Sequence, residues 1–233
     1  MALSELVKDL IIKFQPACNM AANKIKKKIF DSLILIINFC NIFFIGYVQF
    51  VSKEIISIIF DLFKTKGSNL QYGNENVTQL EHALQCAKLA EKNNHSKEII
   101  TAALLHDIGH LLYDGEDPIY EGIDGKHENL GADYLSQYFD KKITLPIRAH
   151  VNSKRYLAFA DKSYYNLLSE ASKISLIAQG GPFTKEGAEN FINQPLMKEA
   201  VELRKFDDLA KELNKITPPI EYFQHYVEAS LRQ

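Results

Sequence analysis

The sequence has no excess of charge of either sign, because 27 lysine and arginine residues face 29 aspartate and glutamate residues and leave a net charge of −2. A protein that binds a nucleic-acid duplex normally carries a basic stripe on its surface. The charge balance therefore argues against nucleic acid as a partner.

Cysteine is also scarce, and the chain has three: Cys18, Cys40 and Cys86. Their number is odd and their spacing matches no metal-binding or redox motif, so no disulfide framework is predicted. Reduced thiols are typical of a reducing compartment, and we expect the protein to be cytoplasmic.

Alternating apolar and polar runs of the kind that predict strands are missing as well. Apolar residues at helical spacing take their place, and a capping box, Thr78-Gln79-Leu80-Glu81, opens one of the predicted helices. The predicted helices cover about 53–67, 78–92, 96–112, 127–139, 145–159, 169–178, 185–192, 196–214 and 220–231. We therefore predict an all-α fold.

The N-terminal part of the chain differs from the rest in composition. We expect residues 1–52 to form a hydrophobic helical extension and residues 53–233 to form the main helical domain. Residues 32–52 contain no charged side chain, and a helix of that length can span a bilayer. Several polar residues inside it favour the alternative, a helix that packs on the domain or on a partner subunit. Membrane association through residues 32–52 stays open at this point.

The stretch from Ala102 to Leu112 contains two histidines and an aspartate within an apolar run of helical period. His106 and His110 are four residues apart, which predicts that they share one helix face. Asp107 has two oxygens that can reach two cations at once. Burying these three ionisable groups on one turn would cost several kcal/mol without a compensating ion. The cluster therefore predicts a metal site.

Further candidate ligands lie on other predicted helices. His82 follows the capping box, His127 opens a helix, and His150 and Asp207 lie inside two others. Together with the central cluster these side chains suffice for two metal ions. Imidazole with carboxylate suits iron or manganese better than a thiolate set would, although zinc remains compatible.

This ordered set of ligands resembles a known pattern. His82, His106-Asp107 and Asp207 resemble the H…HD…D motif of the HD-domain superfamily, whose fold is a helical bundle best known from metal-dependent phosphohydrolases. His127 and His150 resemble the additional ligands of the members that hold two metals. A closer likeness, over about residues 54–231, is to the phosphonate-degrading mixed-valent diiron oxygenases of the PhnZ type. Its motifs are residues 72–85, 106–110, 150–154, 172–182 and 203–208.

The resemblance implies an Fe(II)/Fe(III) pair that uses O2 to cleave a carbon–phosphorus bond. The implied substrate is 1-hydroxy-2-aminoethylphosphonate, which would give glycine and phosphate, or its N-methylated form, which would give glycine betaine. The implied ligands are His82, His106 and Asp207 for one iron, His127 and His150 for the other, and Asp107 as the bridge between them.

The resemblance also implies the substrate contacts. Lys154 and His110 match residues that hold the phosphonate, and Ser172 is a further candidate. Tyr72 matches a lid residue over the first iron, and Glu75 matches the carboxylate that takes the substrate's ammonium. Asp107, Lys154 and His110 form the expected catalytic set.

Two other functions stay open on the sequence alone. An HD-domain phosphohydrolase would use the same metals to activate water for attack on a phosphate ester, and it would need neither Tyr72 nor Glu75. A non-catalytic, membrane-tethered binding module would tolerate the loss of ligands, whereas all six candidate ligands are present here. The two remaining candidates, His95 and His225, are expected to be surface or packing residues.

Overall fold

The computed structural model describes residues 52–113 and 125–232. These residues belong to one compact unit that begins at Ser52. Almost all of the predicted N-terminal extension lies outside the described residues, so its helical character, its boundary and its membrane association remain predictions. Within the described part of the chain, no helix is both long enough and apolar enough to cross a membrane.

The regular secondary structure of the described residues is helical, apart from isolated β-bridges such as the one between Gln71 and Thr78. The prediction of an all-α fold is confirmed. After a helical run over residues 52–62 (α1) and a π-helical turn, Phe63–Gly67, the helices are α2 Gln79–Lys92, α3 Lys97–Leu105, α4 Ile108–Leu111, α5 His127–Leu135, α6 Lys141–Ala160, α7 Tyr164–Leu167, α8 Glu170–Ala178, α9 Lys185–Ile192, α10 Met197–Leu209 and α11 Gln224–Glu228, the last preceded by a 3-10 turn, Ile220–Phe223.

Polar side chains at the N-termini explain where several helices begin. The Thr78 side chain accepts a hydrogen bond from the backbone N–H of Glu81, and the Glu81 side chain accepts one from Thr78, so the predicted capping box is present. Ser96, Ser169 and Thr184 cap α3, α8 and α9 in the same way, each accepting a backbone N–H of the first turn. These hydrogen bonds satisfy donors that the helix itself leaves unpaired.

The core surrounds α3, whose residues from Ile99 to Leu105 are all buried. Helix α2 packs against α3 and α10, while α6 packs against α3, α5 and α10. The predicted ligands are carried by these helices or by the turn that follows α3. The packing of the core therefore also fixes the relative positions of the ligands.

Several helix boundaries differ from the sequence prediction, among them those of α6 and α10, which both carry predicted ligands. Helix α6 begins at Lys141, so Pro146 lies inside it and not in its first turn. The φ angle of proline fits a helix and its missing N–H costs one hydrogen bond, whereas the earlier start buries Ile143, which is 1% exposed. Helix α10 ends at Leu209 and not at about residue 214, which leaves the Ala210 carbonyl free to accept a hydrogen bond from a side chain.

Candidate metal centre and active-site cavity

The central motif is not one continuous helix, which corrects the sequence prediction. Helix α3 ends at Leu105, residues 106 and 107 form a turn, and α4 starts at Ile108. Asp107 has φ −99° and ψ 12°, outside the helical region. As a result His106 and His110 do not share one helix face: the His106 ring lies 5.1 Å from that of His82, whereas the His110 ring stacks on His127 at 3.8 Å.

The turn places the Asp107 carboxylate between two groups of imidazoles. Its Oδ2 lies 3.3 Å from Nε2 of His106 and 3.6 Å from Nε2 of His82. Its Oδ1 lies 3.4 Å from Nε2 of His127 and 3.5 Å from Nε2 of His150. Asp107 is 2% exposed. Each oxygen therefore faces a separate pair of histidine nitrogens, as a carboxylate that bridges two ions would.

The histidine rings are oriented by backbone carbonyls. Nδ1 of His82 donates to the Ala210 carbonyl over 2.8 Å, Nδ1 of His106 donates to the carbonyl of Ala103 over 3.0 Å, and Nδ1 of His150 donates to the carbonyl of Ile147 over 2.7 Å. A carbonyl can only accept, so these Nδ1 atoms carry the protons and the neutral rings present Nε2 lone pairs to the centre. This hydrogen-bond pattern is the usual second layer around metal-binding histidines.

The centre has the properties of a cation site. Nε2 of His82 lies 3.3 Å from that of His106, and Nε2 of His127 lies 3.1 Å from that of His150, so two ring nitrogens converge in each pair. Asp107 Oδ1 is buried and has no hydrogen-bond partner. Burial alone lowers the pKa of His106, but the adjacent Asp107 carboxylate outweighs it and raises this pKa to about 9, so the carboxylates favour a positive charge at this position, which either a second proton on His106 or a bound cation would supply. The residues present fit metal ions, which would satisfy the converging nitrogens and carboxylate oxygens together.

Asp207 lies beside the first pair of histidines. Its Oδ1 is 3.4 Å from Nε2 of His82, and its Oδ2 is 3.8 Å from Nε2 of His106. Arg204 Nη1 donates to Asp207 Oδ2 over 2.6 Å, and Nη2 of the same guanidinium pairs with Asp208. Burial raises the pKa of Asp207, but the Arg204 guanidinium and the nearby imidazoles hold it well below its usual range. Asp207 is thus available as an ionised ligand.

Arg204 is not among the site residues predicted from the sequence, although it is 3% exposed and paired with two carboxylates. The spacing offered a signal: Arg204 precedes Asp207 by three residues and Asp208 by four, which places all three on one face of a helix. The burial of that face, and the proximity of Asp207 to the histidines, are what make the spacing meaningful.

Cys86 also lies inside this cluster, although the spacing of the cysteines matches no metal-binding motif. Its Sγ is 3.5 Å from Nε2 of His82, four residues earlier on α2, and with His82 and His106 it forms a group that could hold an ion. Burial raises the pKa of the Cys86 thiol well above its ordinary value. A protonated thiol is a poor ligand, so we expect Asp207, and not Cys86, to complete this set.

A cavity of about 210 Å³ opens onto the centre. Its lining includes four of the predicted ligands: Asp107, His127, His150 and Asp207. All five residues predicted to contact the substrate line it as well: Tyr72, Glu75, His110, Lys154 and Ser172. Four of the six predicted ligands therefore line the same cavity as the five predicted substrate contacts.

Lys154 is a buried cation of this cavity, 3% exposed, and it donates to Ser175 Oγ over 2.7 Å. Burial, with the Arg204 guanidinium nearby, lowers the pKa of Lys154 to about 7. An incoming dianion would favour the charged ammonium, because opposite charges attract strongly in a poorly solvated site.

The predicted lid residues lie on the segment between the π-helical turn and α2. The Tyr72 ring stacks on His82 with centroids 3.8 Å apart, and its hydroxyl donates to Asp207 Oδ1 over 2.8 Å. Glu75 Oε1 lies 3.5 Å from the ammonium of Lys211, a residue that the sequence analysis did not single out. Tyr72 thus covers one ligand set, and Glu75 is paired within the chain.

Gly109 determines how closely α4 approaches α5. A Cβ at this position would lie 2.0 Å from the backbone oxygen of His127. Gly131 faces it from α5, where an added Cβ would lie 3.1 Å from the Gly109 nitrogen. Only glycine permits this approach, which holds His127 against the Asp107 turn.

His95 and His225 lie outside the cluster. The His95 ring packs edge-on against Phe206 at 5.1 Å, and His225 is exposed.

A helical domain that gathers histidines and aspartates around one bridging carboxylate is the arrangement expected of an HD-domain metalloprotein, and the HD domain family matches residues 79–178. A hydroxymethylphosphonate dioxygenase of Gimesia maris is 41% identical over 180 residues, which are 76% of this chain and 89% of that protein. The 1-hydroxy-2-(trimethylamino)ethylphosphonate dioxygenase (glycine-betaine-forming) of Leisingera caerulea is 39% identical over 176 residues, 75% of this chain and 89% of that protein. The chain belongs to this family of HD-domain oxygenases.

Proposed function

We propose that the protein holds two irons, as an Fe(II)/Fe(III) pair, and uses O2 to cleave the carbon–phosphorus bond of a phosphonate hydroxylated at its first carbon. The proposal is carried by the position of the Asp107 carboxylate, whose two oxygens face separate pairs of histidines. Asp107 lines a cavity that is also lined by a buried lysine, Lys154. His82, His106 and Asp207 would hold one ion, His127 and His150 the other, and Asp107 both.

The substrate class follows from the charge of the cavity and from the relatives. Four neutral imidazoles and two carboxylates contribute −2 against about +5 from a mixed-valent pair, so the centre stays cationic and suits a phosphonate dianion. The two relatives act, by their names, on hydroxymethylphosphonate and on a trimethylated 1-hydroxy-2-aminoethylphosphonate. These substrates share a hydroxyl on the carbon bonded to phosphorus. The resemblance implies 1-hydroxy-2-aminoethylphosphonate or its N-methylated form, with glycine or glycine betaine and phosphate as products.

The side chains divide the work of binding. Lys154 would pair with the phosphonate oxygens as a point charge, and His110 and Ser172, which line the same cavity, would donate further hydrogen bonds to them. These contacts would direct the substrate's hydroxylated carbon toward the ligand cluster. Fixing that carbon in place removes much of the entropic part of the barrier.

The lid would control access to this position. When bound, the iron pair supplies the one-electron chemistry that lets O2 react with a closed-shell substrate. Tyr72 donates its hydroxyl to Asp207 and stacks on His82, so it covers this side of the centre before substrate enters. Its displacement by substrate would couple exposure of the centre to substrate binding.

The test is the dependence of phosphate release on O2. Iron-loaded protein is incubated with hydroxymethylphosphonate and with 1-hydroxy-2-aminoethylphosphonate, in air and under strict anoxia, and phosphate is measured. We expect phosphate release in air from at least one phosphonate and no release without O2. A phosphate monoester of similar size serves as the control and should be left intact. Equal release under anoxia, or release from the ester alone, would instead establish a phosphohydrolase.

A further inference from the structure

We infer that Lys211 supplies the cation that balances the charge of Glu75. The part of the cavity beside Glu75 is therefore suited to a hydroxyphosphonate without an amine, such as hydroxymethylphosphonate. The inference rests on the proposed function and narrows its substrate. It makes Lys211 a specificity-determining residue, in competition with the ammonium that Glu75 would otherwise bind.

Lys211 contacts three residues that line the cavity. Its ammonium lies 3.5 Å from Glu75 Oε1, donates to Ser172 Oγ over 2.7 Å, and lies 5.6 Å from the centre of the Tyr72 ring. The Lys211 and Glu75 side chains are 12% and 17% exposed. Glu75, Ser172 and Tyr72 all line the cavity. A largely buried cation therefore already occupies the place beside the lid carboxylate.

The position of Glu75 is held by the backbone of its own loop. The N–H of Glu75 donates to the Tyr72 carbonyl over 2.9 Å, and the Gln71 side chain donates to the carbonyl of Glu75 over 2.6 Å. The loop is closed where the N–H of Tyr72 donates to the Val77 carbonyl over 2.9 Å. These hydrogen bonds hold the backbone of Glu75 at the position from which its carboxylate faces Lys211.

Charge makes the two cations competitors. A substrate ammonium at Glu75 would share one carboxylate with Lys211, and Lys154 and Arg204 already line the cavity. Like charges repel strongly where water is scarce, so the ammonium gains less from a carboxylate that already faces the Lys211 cation. A substrate that ends at its hydroxylated carbon brings no such charge. The near-equal identities to the two dioxygenases, 41% and 39%, favour neither substrate. The ion pair between Lys211 and Glu75 favours hydroxymethylphosphonate.

The reaction with hydroxymethylphosphonate balances without a further co-reactant. The C–H and C–P bonds break, and their four electrons reduce O2. One oxygen atom ends on carbon and one on phosphorus, so the products are formate, phosphate and one proton. Formate in equal amount to phosphate is therefore the product signature of the amine-free substrate.

The test compares kcat/KM for hydroxymethylphosphonate and for 1-hydroxy-2-aminoethylphosphonate in iron-loaded, full-length protein in air. We expect the wild type to prefer hydroxymethylphosphonate by about tenfold or more. Lys211→Met removes the charge and keeps the length, so it should shift the preference toward the aminated substrate by roughly ten- to hundredfold, the scale of one charge-assisted interaction. Lys211→Arg should keep the wild-type preference.

Two further variants and two further measurements test the interpretation of this ratio. Lys215→Met, which removes a surface lysine paired with Glu212, is the matched control and should leave the ratio unchanged. Adding Glu75→Gln to Lys211→Met should abolish the gained preference for the amine. Anaerobic calorimetry of each phosphonate binding to the same variants should show the same shift in affinity without turnover, and thermal unfolding reports whether each variant is folded. If Lys211→Met does not fold, Lys211→Gln, which also removes the charge, takes its place.

The outcomes separate this inference from the proposed function. Cleavage of both phosphonates with O2, together with a ratio that Lys211→Met leaves unchanged, overturns the inference alone. A wild type that prefers the aminated substrate does the same. No O2-dependent release from either phosphonate overturns the proposed function, and the inference with it.

Discussion

Asp107 is the side chain that contacts both halves of the centre, and its removal tests the two-ion arrangement. Asp107→Ala should abolish binding of both ions, because each half loses one carboxylate oxygen. His127→Ala or His150→Ala should leave the ion on the His82 side largely in place. Iron per chain, measured on anaerobically purified protein, distinguishes the variants. One ion per wild-type chain, or zinc in every preparation, would contradict the proposed pair of irons.

Arg204 shows how a residue that contacts no expected ion can still shape the centre. Its guanidinium pairs with Asp207 and Asp208 and is buried with them. Burying these charges separately would cost several kcal/mol, whereas the fork of a guanidinium satisfies two carboxylates at once. The pairing keeps Asp207 ionised and oriented, which is the usual contribution of residues behind the ligands.

At the scale of elements, the close approach of α4 to α5 positions one half of the centre. Gly109→Ala would place a methyl group 2.0 Å from the His127 backbone oxygen, so α5 must move. We expect the His127 side to lose its ion while the His82 side keeps most of its own. Iron counts and the melting temperature of the same preparations report the two effects.

The matched control for this variant is Gly67→Ala. Its added methyl group would meet neighbours at 3.4 Å or more, which is ordinary contact. This variant should keep the wild-type iron content. An unchanged iron content in Gly109→Ala as well would show that α5 can shift without disturbing His127, and the positioning role of Gly109 would be wrong.

At the scale of the whole molecule, the ions should stabilise the fold that holds them. The ligands come from α2, the turn after α3, α5, α6 and α10, so metal binding links most of the helices that form the core. With free metal at about a hundred times its dissociation constant, linkage adds about 2.7 kcal/mol to the free energy of unfolding. For a unit of this size that corresponds to a melting temperature roughly 5–10 °C higher than that of metal-free protein.

Calorimetry with and without a chelator measures this difference. Asp107→Ala is the control, because it should unfold at the same temperature whether or not metal is added. A wild-type melting temperature that does not respond to removal of the ions would mean that the helices hold the ligand cluster together without them.

Local patterns in the sequence determined the helices and the inventory of the centre. The capping box at Thr78 predicts a helix start that depends on contacts three residues apart, and the structure has it. The apolar run around His106-Asp107 predicts a metal site on the same grounds, and the order of the other histidines and aspartates resembles that of HD-domain proteins. Such patterns are readable because they involve neighbouring residues, whose geometry the helix itself sets.

The tertiary structure decided which side chains contact one another and how the ligands are distributed around Asp107. Tyr72 and Asp207 are 135 positions apart and share a hydrogen bond, and Glu75 and Lys211 form an ion pair across a similar separation. The break after α3, which turns Asp107 between two histidine pairs, likewise follows from packing, since its own sequence continues the helical period. The sequence determined which side chains are present for chemistry. Their partners, and therefore their charges and specificity, depend on distances between helices that no local pattern encodes.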